Sequence, residues 1–295
     1  MTEGQFAEFF LRQGQKVIET RICFWYSHRP FLFMSLPYYR AVSPSQGELA
    51  RVLLGGPAAA LRFPTEAGKS RRQVGILVCS DKNYDFSSLH HKQRAPTRQG
   101  LKYCKVEQVD FTYLGRHGHR LNEETFRRQG RDVNSITETQ WQRLCQVASE
   151  IPGFEAWGAF KDGNLAAFSV LALVGDWMLF QHGSSATAYL KYNPNNALTF
   201  VVTKWKLADP LVSSLCYGAE SPVTPGLDAY KLRMGYRRQV FAERIVYNPL
   251  LRAGLSLGGR KIIDRMARKY PQKVMLRRAA LLLERDGTQG ATQPQ

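Results

Sequence analysis

Apolar positions recur at helical spacing through Phe6, Phe9, Phe10 and Val17, which predicts a helix over residues 3–20. Two aromatic-dense runs follow at 22–26 and 31–36, joined across Ser27-His28-Arg29-Pro30, and their composition suits a half-buried sheet. Ser43-Pro44-Ser45 opens a helix that Gly55-Gly56 stops. Residues 58–63 and 73–79 read as a hairpin, with the basic Lys69-Ser70-Arg71-Arg72 at its tip. Residues 89–105 read as a basic helix. Pro96 lacks the amide proton a helix interior needs and should kink or restart it. The run 109–114 then leads into a Gly115-Arg116-His117-Gly118-His119 loop and a helix start at Asn122-Glu123-Glu124. Residues 137–149 form an amphipathic helix through Trp141, Leu144, Cys145 and Ala148.

From Trp157 to Tyr236 the chain is more regularly punctuated. Strand-like runs at 155–160 and 165–174 flank Lys161-Asp162-Gly163-Asn164, a tight-turn signal, and Gly175-Asp176 turns into another strand at 177–181. Tyr192-Asn193-Pro194-Asn195-Asn196 precedes the helix-period run Ala197, Leu198, Val201, Val202 and Trp205. An Asn at the N-cap and a Pro at the first helical position are helix-start chemistry. A strand at 212–217, a loop at 218–225, a helix at 227–234 ended by Gly235, and a strand at 237–247 complete an α/β unit whose helix N-terminus faces a cleft. Beyond it, Leu255, Leu257, Ile262, Ile263 and Met266 alternate with Arg260, Lys261, Arg265, Arg268 and Lys269. A second basic-apolar run occupies 274–283, and the polar residues 286–295 read as a disordered tail.

Composition narrows the setting. A chain of 295 residues with 44% hydrophobic and 22% charged residues can bury a sizeable core. It contains no run of about eighteen apolar residues, so no membrane-spanning helix is expected. Met1-Thr2-Glu3-Gly4 lacks the basic start of a signal peptide. Five scattered cysteines without metal-ligand spacing suit a reduced, cytoplasmic compartment. His117 and His119 flank a glycine but have no third ligand nearby, so no metal is expected. The net charge of +17 points to anionic partners: nucleotides, phosphorylated cofactors, tRNA or anionic lipid surfaces. From Arg252 to Arg285 there are ten Lys or Arg against two acids, and a basic amphipathic helix there either lies on an anionic membrane or packs on its own domain.

Three motifs occur in a telling order. Tyr84-Asp85-Phe86-Ser87-Ser88-Leu89 is followed by Arg94, Arg98, Gly100, Leu101 and Val106; Tyr192-x-Pro194 opens the central helix; and Tyr230-Lys231-x-x-x-Gly235-Tyr236 follows the next strand. With these, residues 50–245 resemble the GNAT acyltransferase superfamily in its Fem-like branch, named for aminoacyl transferases of cell-wall peptide synthesis. The resemblance implies an α/β fold of α+β type, with GNAT-like mixed sheets flanked by helices in two tandem units, the second better preserved. Residues 1–150 would be a degenerate N-terminal unit carrying the basic helix, and 151–250 the acyltransferase unit. A basic helical extension over 251–285 and the tail at 286–295 would follow. It also implies an N-acyltransferase that takes its group from acyl-CoA (acetyl-CoA) or aminoacyl-tRNA and passes it to an amine, without a metal.

The candidate chemistry follows from these motifs. A helix N-terminus offers unpaired amides and partial positive charge to a phosphate, which makes Tyr192, Asn193, Asn195 and Asn196 the cofactor-binding candidates. CoA-using GNAT enzymes have a Gly-rich turn led by Gln or Arg here, whereas Asn193-Pro194-Asn195-Asn196 loses a donor at Pro194 and fits the Fem-like branch better. Many GNAT enzymes place a general-acid Tyr four residues before the Gly. Here that slot holds Lys231, suited to a developing oxyanion, a carbonyl or a phosphate, with Tyr230 beside it. His182 and Glu220 follow strands where the cleft should open and are candidate bases. Asp228 is expected to cap the Lys231 helix. Arg94 and Arg98, with Lys102 at i, i+4, i+8, form a ridge suited to steering an anionic substrate. The other reading is a non-catalytic anion-binding module that kept the fold, touching the inner face of the membrane peripherally through 252–285.

Overall fold

The structure, a computed structural model, describes residues 1–29, 31–66, 68–70, 72–220, 225–249, 251 and 259–270. The expected run at 274–283, the tail at 286–295 and the start of the extension at 252–258 lie outside the described residues. Two compact units divide the chain. One takes Met1–Gly14 and Gly75–Gln239, the other Gln15–Val74 and the described residues from Val240 onward. Each is assembled from two separated stretches, unlike the expected division at residue 150.

The first helix, α1 (Glu3–Arg12), starts with a capping box between Thr2 and Gln5 and ends well before residue 20. Gly14, at φ 84°, turns the chain in the left-handed region that glycine adopts without cost. The β-branched Val17 and Ile18 then form a short strand instead of continuing the helix.

In the second unit that strand, β1 (Val17–Glu19), pairs antiparallel with β2 (Phe24–Arg29), which pairs antiparallel with β3 (Leu32–Leu36). β3 runs parallel to β4 (Ala60–Thr65). Helix α2 (Gln46–Leu54), opened by a Ser45–Glu48 capping box, buries Leu49 and Val52 against Trp25, Phe33, Leu61 and Phe63. β4 pairs antiparallel with residues 242–247, the far end of β11 (Arg237–Tyr247), and not with residues 73–79 as a hairpin. Charge reinforces that pairing. Glu243 of β11 is buried with its two carboxylate oxygens 2.5 Å from Arg62 Nε and Arg72 Nε. The unit also contains a terminal helix, α8 (Arg260–Lys269).

The first unit holds β5 (Gln73–Cys79), β6 (Lys105–Val109), β7 (Phe154–Lys161), β8 (Asn164–Val174), β9 (Trp177–Ser185) and β10 (Ser214–Ala219), ordered β5-β10-β9-β8-β7-β6. Only β9 and β10 are parallel. Helices α3 (His91–Tyr103) and α6 (Pro194–Ala208) pack together, with Ala197, Leu198 and Val202 in one core with Ala167 and Leu171 of β8. Side chains alternate across a strand, so Phe168 of β8 points the other way, onto Trp141 of α5 (Glu138–Glu150).

α3 passes through Pro96 unbroken. The carbonyl that the proline leaves without a helical donor belongs to Lys92, which is exposed, while the flanking Gln93, Thr97 and Gly100 are buried. One solvated carbonyl costs less than that packing gains.

The expected loop at 115–119 and helix start at Asn122 are both interior to one long helix, α4 (Phe111–Arg128), capped by Asp110, whose Oδ1 accepts the Tyr113 amide at 2.6 Å. The glycines there make room for α5 and do not break the helix. A Cβ on Gly118 would stand 2.8 Å from Cζ2 of Trp141, whose Nε1 donates to Leu114 O at 3.1 Å.

Candidate functional site

β9 and β10 pair only from Ser214 with Trp177 to Cys216 with Leu179. Beyond that point β10 turns toward β5, where Ala219 meets Ile76, and β9 stays on β8 as far as Ser185. The strands therefore part. Phe180 and Tyr217 span the parting as a stacked pair, with centroids 4.3 Å apart and planes 5° from parallel.

Above this split lies a cavity of about 460 Å3. Its walls are residues 180–185 of β9, the first turn of α6, the end of α4 at Thr125 and Arg128, and Leu227, Tyr230 and Lys231 of α7 (Pro225–Arg233). Arg128, Arg131 and Lys231 line it, and no carboxylate does among the described residues.

The start of α6 is less open to an anion than a usual helix end. Asn193 sits at the N-cap with φ 56°, and Pro194 is the first helical residue, as the sequence suggests. The Asn193 side chain makes no cap bond; its Nδ2 donates instead to Gln99 Oε1 of α3 at 2.7 Å. The Asn193 amide donates to Leu190 O at 2.9 Å and the Asn196 amide to Asn193 O at 3.1 Å, and Pro194 has none to give. That leaves the Asn195 amide. The Asn195 side chain ties the helix to β9, donating to Ser185 Oγ at 3.1 Å.

Lys231 is only 4% exposed. Its ammonium lies 3.3 Å from Asp228 Oδ1 and 5.3 Å from the Tyr217 ring centroid, a charge pair and a cation–π contact in one buried place. Asp228 thus sits inside α7 and holds Lys231, since the helix begins earlier, at Pro225. The Tyr230 hydroxyl is 3.0 Å from Asn195 O and 3.1 Å from Thr199 Oγ1, and burial pushes its pKa well above the usual range. The phenol stays protonated and fastens α7 to the start of α6.

His182 lines the same cavity from β9. Its Nε2 is 3.2 Å from Asn122 Oδ1, which also accepts from Ser184 Oγ at 2.7 Å, so the ring donates through Nε2. Trp141 and Phe168 enclose the imidazole. Burial, and to a lesser degree the charge of Arg131, lowers its pKa to about 4 and keeps it neutral.

Of the residues singled out from sequence, Lys231, Tyr230, His182, Asn193, Asn195 and Asn196 line this one cavity. Four do not. Tyr192 lies against Tyr103 and Lys161. The Glu220 carboxylate is paired with Arg238 at 2.6 Å. Arg94 donates to the Leu89 and Ser87 carbonyls, and Arg98 lies over Phe86.

From sequence, Arg128 is part of a basic cluster at 125–131 that resembles a stretch of the same Fem-like families, with no role assigned at the site. It reaches Ser185 O at 3.1 Å, Ser185 Oγ at 3.0 Å and Thr187 Oγ1 at 2.8 Å, and so fixes the end of β9. The signal was present: Leu114, Leu121, Thr125 and Arg128 share one helical face once the run from Phe111 is taken as unbroken.

No family model and no curated protein matches the sequence. Solved structures do resemble it. FemX superposes with a TM-score of 0.61 at 13% identity, over 84% of this chain and 92% of that one. The C-terminal domain of a candidate lysylphosphatidylglycerol synthetase from Agrobacterium fabrum gives 0.55 at 10% identity, over 88% and 95%. A conserved protein of unknown function from Bacteroides thetaiotaomicron gives 0.53 at 9%, over 83% and 91%. Likeness at such identities concerns the fold alone. The chain shares the α/β fold of FemX and of that synthetase domain, with parallel and antiparallel strands flanked by helices.

Proposed function

We propose that this chain is a transferase that moves an acyl or aminoacyl group from an ester or thioester donor to an amine. The cavity wall carries the reading: among the described residues three cations, Arg128, Arg131 and Lys231, line it without a lining carboxylate, which suits an anionic donor.

The amine nitrogen attacks the donor carbonyl, a C–N bond forms and the carbonyl oxygen takes up negative charge. Lys231, already fixed by Asp228 and Tyr217, stabilises that oxyanion without reorganising. Collapse breaks the C–O or C–S bond, and the proton lost by the amine ends on the leaving atom. His182 offers its other ring nitrogen, Nδ1, as the relay, and Tyr230 is a positioning residue. Glu220 would serve as base only after releasing Arg238. Aminoacyl-tRNA suits the site better than acyl-CoA, because a diphosphate at a helix N-terminus uses several amides and α6 offers the Asn195 amide alone among the described residues. Arg94 and Arg98 on α3, packed beside α6, would contact the more distant phosphates of so long a donor. Such a donor places the reaction in the cytoplasm.

The non-catalytic reading draws on one observation: Lys231, Tyr230 and most first-turn amides of α6 already have partners within the chain. Unfolding measured with aminoacyl-tRNA or acetyl-CoA, together with amine acylation by wild type and Lys231→Met, separates the two. A donor at about a hundred times its dissociation constant adds roughly 2.7 kcal/mol of stability. Loss of the oxyanion partner lowers the rate by about 10²–10³. Full activity in Lys231→Met removes the proposed role of that residue; donor binding without transfer to any amine leaves the non-catalytic module.

A further inference from the structure

We infer that α8 docks on the surface of an anionic lipid bilayer. The helix is packed on one side only, where Ala267 is buried and Ile263 and Asp264 are half-buried. One turn apart on the other side, Ile262 is 61% exposed and Met266 42% exposed. Lys261, Arg265 and Lys269, spaced i, i+4, i+8, run along that pair as a parallel stripe, and Arg268 extends it; all four cations are exposed. None of the four is in an ion pair among the described residues.

Apolar and basic stripes side by side select the partner. A nucleic acid backbone would neutralise the cations and give Ile262 and Met266 nothing to enter. An acidic protein groove would need a complementary shape that nothing else on α8 indicates. The boundary between headgroups and acyl chains takes both stripes at once, with apolar side chains below the phosphates and ammonium or guanidinium groups among them. At ten residues the helix is about 15 Å long, half of what spans a bilayer, so it lies in the plane of the surface. The sequence around it has the same sign, with ten Lys or Arg against two acids from Arg252 to Arg285. This inference stands independently of the transferase reading.

Flotation of the full chain with vesicles tests it. Wild type should float with phosphatidylcholine vesicles containing phosphatidylglycerol, much less with phosphatidylcholine alone, and release as salt is raised. Lys261→Gln with Arg265→Gln should weaken binding about 25-fold, taking roughly fivefold for each cation near the surface. Ile262→Glu with Met266→Glu should abolish binding while leaving the unfolding midpoint within a degree or two, since both positions are exposed. Failure of wild type to float at low salt overturns the inference. So does undiminished flotation of the apolar double variant. If single-stranded RNA displaces the vesicles and the apolar variant binds that RNA as tightly as wild type, the surface binds phosphate chains and the bilayer assignment is wrong.

Discussion

Gly115 and Gly118 lie three residues apart on α4, and the same substitution at each should have opposite effects. Replacing either by alanine removes the backbone freedom that glycine holds in the unfolded chain, which favours the helix by about 1 kcal/mol. At Gly115 the new methyl meets only Cys145 Cβ at 3.5 Å, an ordinary contact, so most of that gain should survive. At Gly118 it would stand 2.8 Å from Trp141 Cζ2, 3.0 Å from Trp141 Nε1 and 3.0 Å from Leu114 Cδ1. Trp141 is fully buried and cannot swing outward. Its indole also donates to Leu114 O, so moving it strains that bond at about 1 kcal/mol. Overpacking of about 1–3 kcal/mol plus the strained bond outweighs the helical gain and leaves Gly118→Ala about 1–3 kcal/mol less stable than wild type. For a unit of this size that is a few degrees in the unfolding midpoint, with Gly115→Ala moving the other way. Denaturant unfolding followed by tryptophan emission reads both. A Gly118→Ala variant as stable as Gly115→Ala would refute the close α4–α5 packing. Because Trp141 also lies 5.1 Å from His182, the same variant should disturb the cavity wall, whereas Gly115→Ala should not.

Other consequences concern charge and burial. His182 titrates near 4 in the folded chain and near 6.5 in the unfolded chain, so the unfolded state takes up a proton that the ring, half-buried between Trp141 and Phe168, refuses. Stability should fall as pH drops from about 6.5 toward 4, by roughly 3 kcal/mol, and then stop falling on this account; His182→Gln should flatten that stretch, and parallel profiles for the two proteins would contradict it. Glu243→Gln removes the shared counter-charge of Arg62 and Arg72 and should cost about 3–5 kcal/mol, seen as a lower denaturant midpoint; a change under 1 kcal/mol would mean the arginines are satisfied without it. All five cysteines are buried thiols, and burial pushes Cys145 to about 12, so a disulfide-exchange reagent should label none of them until the protein unfolds.

Local signals were legible where chain chemistry acts alone. The strand–turn–strand run around Asp162 and Gly163 could be read from turn residues and apolar alternation, and so could the Pro194 start of α6. The Lys231 motif pointed to a residue that does line the cavity. Misreadings arose where a residue's local preference lost to packing. Pro96 and the glycines of α4 look like breaks in isolation, yet they are tolerated because α6 and α5 fill the space beside them.

By itself, then, the sequence determined the α/β class, the elements from β7 to α7, the basic charge and the Fem-like order of motifs. Only the tertiary structure decided which strands pair, because a strand's partners depend on sequence-distant surfaces: residues 60–65 find 242–247, and neither run names the other. It alone also sorted the candidates. Lys231, Tyr230 and His182 share a wall because β9 and β10 part after Leu179 and Cys216, and Arg128 joins them because α4 is unbroken. Glu220 is drawn aside by Arg238, which sits eighteen positions further along the chain and reaches it only once β10 and β11 have folded.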